Sequence, residues 1–296
     1  MNLSFYISEF ILDQRIRGNS EATISYYSTS LELFKRFVND VNVDQISLQL
    51  CKEYYLKLCD SDINSISAQS YIRALRAFLK WLYVNKYIQV NICESFKLPK
   101  ATKKVIDVLT EDEINLIFSS IKGQKWVRIR NRLILALMLD SGLRLNEVIT
   151  LTVGAVHLHE RYIIVQQGKG NKQRIVPFGK FTASLLEDYF IATSFYIVRE
   201  PLLIKEAASG NGWEPITGCL IKNLFTKLKK RTGIKRLKPH LLRHTFATRY
   251  LENGGNIYSL QAILGHSSLE MVKRYLHLAN SRIMRDFPKF SPLDNI

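Results

Sequence analysis

Six reactive side chains in the second half of the sequence have the types needed to break and rejoin a phosphodiester without a metal ion. They are two arginines, a lysine, two histidines and a tyrosine: Arg144, Lys169, His240, Arg243, His266 and Tyr275. A planar guanidinium donates two parallel hydrogen bonds and stays charged, so an arginine pair suits a phosphate clamp. A tyrosine nucleophile would form a covalent intermediate that keeps the bond energy available for rejoining. This set of residues therefore points to a reaction, which a fold alone would not do.

The remaining side chains each have a task in such chemistry. A tyrosine has an ordinary pKa of about 10, so nearby cations must favour its phenolate and His240 can take the proton. Lys169, expected at a hairpin tip, can protonate the departing oxygen, and His266 can donate a hydrogen bond to the phosphate. We interpret Glu147, three residues after Arg144, as a buried partner that orients this arginine and not as an acid catalyst.

Helix patterns predict how the first of these side chains are positioned. His240 and Arg243 are three positions apart on a helix that starts after Pro239, so both share one face. An apolar helix upstream is expected to end near Gly142, two residues before Arg144.

A predicted helix break positions the last two reactive side chains. Gly265 is typical of a helix end, and Ser267-Ser268-Leu269-Glu270 has the capping-box pattern of a new helix start. His266 is therefore expected in a turn and Tyr275 on the second turn of the following helix. With the helix broken between them, both side chains can face one cleft.

The charge balance favours a polyanionic partner. The 296 residues contain 42 Lys+Arg against 26 Asp+Glu, a net charge of +16, and nucleic acid is the usual partner of such a chain. The length favours two domains, and a hydrophobic content of 47% is ample for their cores.

The composition gives no sign of a metal, a cofactor or a membrane segment. The four cysteines, Cys51, Cys59, Cys93 and Cys219, lack metal-ligand spacing and are expected to be reduced, buried packing residues. We recognise no signal segment, and the most apolar run, Leu133 to Leu139, is far short of the roughly 20 residues that cross a bilayer. The expected location is the cytoplasm.

Helical periodicity predicts the structure of the first hundred residues. Ser20 and Ser47 are expected to cap helices, and a third helix is expected from about Ser67 to Tyr87. This third helix carries a basic stripe, Arg73, Arg76 and Lys80, opposite its apolar one. Such a stripe is either a solvated face or a surface for DNA, and both interpretations stay open here.

A change of pattern predicts a second domain with a small β-sheet. The periodicity stops at Leu98–Lys104, whose proline and lysines suit an interdomain linker. Two runs with strand periodicity, Tyr162–Val165 and Arg174–Val176, flank Gly168–Asn171, which has the composition of a hairpin turn. From about Thr182 onward the pattern predicts helices, with a loop at residues 209–212.

These motifs resemble the tyrosine recombinase (phage integrase) family, in particular its short, Xer-like members. The similar segments are Ser141–Arg144, Gly168–Lys172, Pro239–Thr248, Leu264–Ser267 and Tyr275. The resemblance covers the stretch from about Val108 to Leu278, and all six active-site positions of the family are filled. The N-terminal helices resemble the family's core-binding domain more weakly, by pattern, by Tyr27 and by the basic helix.

The resemblance implies a mainly α fold with a small β-sheet, divided into four parts. These are a helical, SAM-like core-binding domain at 1–98, a basic linker at 99–107, an α+β catalytic domain at 108–280 and a tail at 281–296. The two domains of the family clamp duplex DNA like a C. The tail of family members often packs into a neighbouring subunit; here its apolar residues suit docking, and disorder is the alternative.

The resemblance also implies the course of the reaction. Arg144 and Arg243 would bind the scissile phosphate, and Tyr275 would attack it, leaving a 3′-phosphotyrosyl link and a free 5′ hydroxyl. Four identical subunits would assemble on paired, synapsed duplex sites and exchange strands through a Holliday junction. No metal, ATP or other cofactor takes part. Whether a second recombinase, a translocase or an accessory protein is needed stays open, as do the DNA target and the biological task.

The other implied roles follow position by position. Lys169 would be the general acid for the leaving 5′ oxygen, His240 would act in acid–base exchange, and His266 would stabilise the transition state. The candidate DNA contacts outside the active site are Tyr27, Arg73, Arg76, Lys80 and Lys172.

Two other functions use the same features. A type IB topoisomerase performs this tyrosine chemistry as a monomer without pairing sites, but the Xer-like spelling of the motifs and the short length argue against it. A DNA-binding module that has lost catalysis is the second alternative, and the six filled positions argue against that. An RNA partner does not fit the resemblance.

Overall fold

The computed structural model describes residues 1–61, 63, 65–96, 107–166, 173–193, 201–207, 212–265 and 272. The chain divides into two compact units, Met1–Lys104 and Val105–Ile296, each with its own hydrophobic core. Both are mainly helical, and the second contains a small three-stranded antiparallel sheet, as the sequence predicts, together with a two-stranded one. Within the described residues, no helix is long and apolar enough to cross a membrane.

The first unit is built from helices whose starts follow the predicted capping residues. Its helices are α1 (Leu3–Ile16), α2 (Glu21–Val38), α3 (Leu48–Asp60), α4 (Ser65–Val84) and α5 (Ile92–Ser95). The side chain of Ser20 accepts a hydrogen bond from the Thr23 amide, and that of Ser47 accepts one from the Leu50 amide. Both predicted helix starts are confirmed, and α4 begins and ends slightly earlier than its periodicity predicts.

Aromatic side chains fill the core between α1, α2 and α4. The ring of Phe10 lies edge-on to those of Tyr27, Phe78 and Trp81, with centroids 5.1, 5.5 and 5.6 Å away. The indole nitrogen of Trp81 donates to the carboxylate of Asp13 at 3.1 Å, which satisfies its polar end inside this apolar cluster.

The second unit combines helices with two small sheets. Its elements are α6 (Glu111–Ser119), α7 (Lys125–Leu139), α8 (Leu145–Thr150), β1 (Val156–His157), β2 (Tyr162–Gln166), β3 (Gln173–Pro177), α9 (Lys180–Thr193), β4 (Ile204–Glu206), β5 (Trp213–Pro215), α10 (Gly218–Thr232), α11 (Pro239–Glu252) and α12 (Ile257–Leu264). Strands β1, β2 and β3 form one antiparallel sheet in that order, and β4 pairs with β5 in another.

The predicted hairpin is confirmed, whereas a second hairpin was not predicted. Strands β2 and β3 pair from Tyr162 opposite Pro177 to Gln166 opposite Gln173. The expectation of only helices and a loop after Thr182 is wrong, because β4 and β5 pair in that stretch. Each of these strands has three residues, too few to show a period of two.

The expectation that all four cysteines are buried is also wrong. Cys51 lies in the core of the first unit, but Cys59 and Cys219 are exposed on the outer faces of α3 and α10. All four are free thiols, as expected.

A left-handed turn at Gly142 joins the end of α7 to the start of α8. Its φ angle is +64°, and a Cβ atom there would lie 2.4 Å from the ring of Phe246 on α11. Only glycine satisfies both conditions, because other residues rarely adopt this φ angle and the Phe246 ring occupies the space. The chain leaving α7 is thereby held against α11.

Asp140, at the end of α7, also fixes the start of α9. Its Oδ2 accepts hydrogen bonds from the Gly179 amide at 2.7 Å and from the Thr182 hydroxyl at 2.6 Å. The first turn of a helix has amide groups without partners inside the helix, and Asp140 satisfies one of them from a distant part of the chain.

We expect Asp140→Ala to lower the free energy of unfolding by about 1–2 kcal/mol, because the start of α9 loses this cap. Urea denaturation of the full chain measures the change. The matched control is Asp188→Ala, an exposed acid on the same helix, which should stay within about 0.5 kcal/mol of the original protein. Equal losses in the two variants would refute the capping role.

Candidate active site

One buried guanidinium connects three of the segments that carry the predicted chemistry. Helix α11 begins with Pro239 in its first turn, and Arg243 lies four residues later with 6% of its surface exposed. Nη1 of Arg243 donates a short hydrogen bond to the carbonyl oxygen of Gly142, and Nη2 donates to that of Leu264 at 2.7 Å. Arg243 therefore fixes both the backbone before Arg144 and the end of α12.

The end of α12 has a partner for each of its last four carbonyl groups. Gly265, with a φ angle of +62°, ends the helix as predicted, and its amide donates to the carbonyls of Gln261 and Ala262. The next carbonyl, that of Ile263, accepts from Nε of Arg174 at 2.7 Å. Arg243 binds the last one. Two arginines thus satisfy the carbonyls that a helix end leaves unpaired.

The expected contact between Glu147 and Arg144 is present, and a second arginine shares it. Oε1 of Glu147 accepts from Nη1 of Arg144 at 2.9 Å and from Nη1 of Arg174 at 3.0 Å. Oε2 accepts from the Arg144 amide and from Nη2 of Arg174, both at 2.8 Å. The carboxylate is therefore held by four donors.

This environment keeps Glu147 ionised. Burial alone would raise the pKa of its carboxyl, but the hydrogen bonds and charge of Arg174, with those of Arg144, outweigh burial and hold the pKa at about 2. Such a group has no proton to give at neutral pH. The interpretation of Glu147 as an orienting partner and not an acid fits this geometry.

The two arginines that bind Glu147 differ in their exposure to solvent. The side chain of Arg144 is 37% exposed, whereas that of Arg174 is 7% exposed. Arg144 is anchored through Nη1 and still reaches solvent, so it can bind an oxyanion. Arg174 is enclosed by its protein partners and cannot.

His240 stands on the first turn of α11 in a positive field. Packing around the ring lowers the pKa of His240 first, and the charges of Arg243, Lys238 and Arg144 lower it further. Solvent still reaches the ring. The imidazole is therefore neutral at pH 7 and able to accept a proton.

Four predicted residues, Lys169, Lys172, His266 and Tyr275, lie outside the described residues. For Lys169 and Lys172, the structure describes the strands on either side. The strands on either side of Lys169 and Lys172 still pair at their last described residues, Gln166 and Gln173.

The candidate DNA contacts of the first unit differ in their surroundings. Arg73 and Lys80 are exposed on α4. Arg76 is half-buried and donates Nη2 to the carbonyl of Cys93 at 3.3 Å, and Tyr27 packs against the aromatic core. Of the basic stripe on α4, Arg73 and Lys80 are therefore exposed, whereas Arg76 also connects α4 to α5.

Sequence reasoning overlooked Arg174, although a signal for it was present. In β3, Arg174 and Val176 are buried while the residues between and beside them are exposed. A charge at an inward position of an alternating strand must find a partner inside the protein, which marks it as part of a buried network.

Comparison with known proteins gives the family of the chain. Residues 107–282 match the protein-family model described as "Phage integrase family", and residues 7–86 match the one described as "Phage integrase, N-terminal SAM-like domain". The tyrosine recombinase XerD of Staphylococcus epidermidis is 31% identical over 293 residues, covering 93% of this chain and 94% of that protein. The tyrosine recombinase XerC of Pediococcus pentosaceus is 28% identical over 291 residues, with coverages of 93% and 94%.

A solved structure shares the fold. The crystal structure of the XerH site-specific recombinase bound to its difH substrate superposes with a TM-score of 0.70 at 23% identity, covering 94% of this chain and 82% of that one. The matches span both units of the chain. The chain therefore belongs to the phage integrase family, as a tyrosine recombinase of the Xer type.

Proposed function

We propose that this protein cleaves and rejoins duplex DNA at specific sites through Tyr275, by way of a 3′-phosphotyrosyl intermediate. The observation that carries the proposal is the position of Arg243. Its guanidinium binds the carbonyl two residues before Arg144 and the carbonyl two residues before His266, which supports a common site for these motif segments. Xer-type relatives are named as tyrosine recombinases, and the XerH structure holds a DNA substrate.

Arg144 and Arg243 are proposed to stabilise the phosphate that Tyr275 attacks. Charge accumulates on the non-bridging oxygens during the transfer, and fixed cations stabilise it without having to reorganise. Arg144 is held by Glu147 at one nitrogen and exposed at its tip, which suits direct binding. Arg243 contributes its charge from a position that two carbonyl groups fix.

Proton transfer is assigned to the neighbouring basic residues. In our proposal His240 takes the proton of the Tyr275 phenol as the phenolate attacks phosphorus and the bond to the 5′ oxygen breaks. Lys169 gives a proton to that departing oxygen, and His266 donates a hydrogen bond to the phosphate. In the rejoining step the 5′ hydroxyl attacks and the same protons return, so no cofactor is consumed.

The assembly is proposed from the division of the chain. Residues 1–98 form the core-binding domain and 108–280 the catalytic domain, with the basic linker at 99–107 between them. Four subunits on paired sites would exchange strands through a Holliday junction, and the tail at 281–296 would dock into a neighbour. The net charge of +16 supports a duplex DNA partner, and the exposed Arg73 and Lys80 are its proposed contacts in the first domain.

A nicked suicide substrate tests the nucleophile. With DNA from the flanks of the gene as substrate, the original protein should form a covalent protein–DNA band that survives detergent, and Tyr275→Phe should form none. Tyr258→Phe is the matched control, because Tyr258 is an exposed tyrosine on α12 and should keep the band. An adduct formed by Tyr275→Phe would refute the proposal. Specific binding without any adduct would favour a DNA-binding module, and relaxation of plasmids without paired sites a topoisomerase.

The pH dependence of adduct formation tests His240. Its pKa lies below the ordinary value of about 6.5, so the base is neutral at pH 7 and becomes charged only at lower pH. We expect the single-turnover rate to fall on the acid side below pH about 6.5, and His240→Gln to lose this limb and about 10²–10⁴-fold in rate. The exposed His159 serves as the control through His159→Gln. An unchanged acid limb in His240→Gln would assign the titration to another group.

A further inference from the structure

We infer that Arg174 is a positioning residue of the reaction. It fixes the position of the Arg144 side chain and of the end of α12, which precedes His266. The inference rests on the proposed function, since it gives Arg174 a task in the same site. Arg174 lies on β3, 30 positions after Arg144, and its side chain is 7% exposed.

All three nitrogens of the Arg174 guanidinium are bound to protein. Nη1 and Nη2 donate to the two oxygens of Glu147 at 3.0 and 2.8 Å, and Nε donates to the carbonyl of Ile263 at 2.7 Å. With its fork on a carboxylate, its third nitrogen on a helix end and only 7% of its side chain exposed, Arg174 is buried away from any ligand in solvent. Its effect on the reaction must pass through its partners.

The first of these partners is Glu147, and through it Arg144. A buried carboxylate attracts any nearby guanidinium, and two oxygens can take both ends of one arginine fork. Arg174 occupies that bidentate position, so Glu147 binds the side chain of Arg144 through Nη1 alone. Without Arg174, the carboxylate would draw the fork of Arg144 onto itself and away from the phosphate.

The second partner is the end of α12. The carboxyl end of a helix carries partial negative charge on its unpaired carbonyls, and a cation there is stabilising. Arg174 binds the carbonyl of Ile263 next to the one that Arg243 binds. The two cations thus fix the direction in which the chain leaves α12 toward His266. A shift of about 1 Å in a catalytic group costs roughly 100-fold in rate.

Lysine cannot replace this residue. The acceptors are two carboxylate oxygens and a carbonyl oxygen, which the planar fork of an arginine meets at once. The ammonium group of a lysine has the same charge, but it is a compact donor on a flexible chain. It cannot bind all three acceptors with the geometry of the planar fork. Arg174→Lys therefore removes the geometry and keeps the charge.

The test compares Arg174→Lys with Gln173→Met in the full-length protein. Gln173 is the exposed neighbour on the same strand, so its variant controls for a substitution in β3. We expect Arg174→Lys to bind the nicked site within about threefold of the original protein, since Arg174 does not reach the DNA, and to form the adduct roughly 100-fold more slowly. Gln173→Met should match the original protein in both. Binding and rate that fall together, or a rate that does not fall, would overturn the inference.

A double-mutant cycle with Glu147→Gln separates the two partners. If Arg174 acts through both, Arg174→Lys still slows adduct formation in the Glu147→Gln background, but by a smaller factor than in the original protein. The same factor in both backgrounds would mean that the two residues act independently, which would refute the proposed route through Glu147.

Hydrogen exchange gives a readout that does not depend on activity. We expect amides at the end of α12, residues 261–265, to exchange faster in Arg174→Lys by about tenfold, because a helix end without its anchor opens more often. Unchanged exchange there would refute the anchor. An adduct formed by Tyr275→Phe would instead overturn the proposed function, and the exchange result would still decide whether Arg174 holds the helix end.

Discussion

The contact between two buried arginines and the end of α12 is the constraint on which the site region depends. Arg174 and Arg243 bind neighbouring carbonyls, those of Ile263 and Leu264, from different elements. A buried guanidinium is costly unless its donors are satisfied, so each arginine fits one arrangement of the surrounding backbone. Because Arg243 also binds the carbonyl of Gly142, stretches of chain more than 100 positions apart take up fixed places around it. Packing of α11 against α7 brings these groups near, and the hydrogen bonds select their orientation.

The same charges explain the chemistry that the site can support. Arg144 and Arg174 share one carboxylate, that of Glu147, which neutralises only part of their charge. Packing around the ring lowers the pKa of His240 first, and the charges of Arg243, Lys238 and Arg144 lower it further. These charges would equally favour a phenolate or a phosphate brought close to them. A neutral base beside permanent cations is what nucleophilic attack on a phosphodiester requires. Phosphate binding and proton transfer therefore depend in part on the same cations.

Local features were predictable from the sequence, and long-range contacts were not. The caps at Ser20 and Ser47, the helix end at Gly265 and the hairpin of β2 and β3 depend on residues a few positions apart, and each is found where it was expected. The partners of Arg174 lie 27 and 89 positions away, and no local pattern encodes such distances. The strands β4 and β5 were missed because three residues cannot show alternation. The spacing of Arg76 placed it on the exposed stripe of α4. Its hydrogen bond to the carbonyl of Cys93 is a long-range contact that the spacing did not predict.

Gly142 is a motif residue whose role becomes clear only from the structure. Resemblance marks Gly142 as a family position without giving a reason for it. The structure supplies two: a left-handed backbone that places its carbonyl on Arg243, and the ring of Phe246 where a Cβ would stand. A side chain at this position would push α11 from α7 and separate Arg243 from the backbone before Arg144. Residues outside the proposed DNA contacts therefore also constrain the site, and an inward charge such as Arg174 is a sign of them in the sequence.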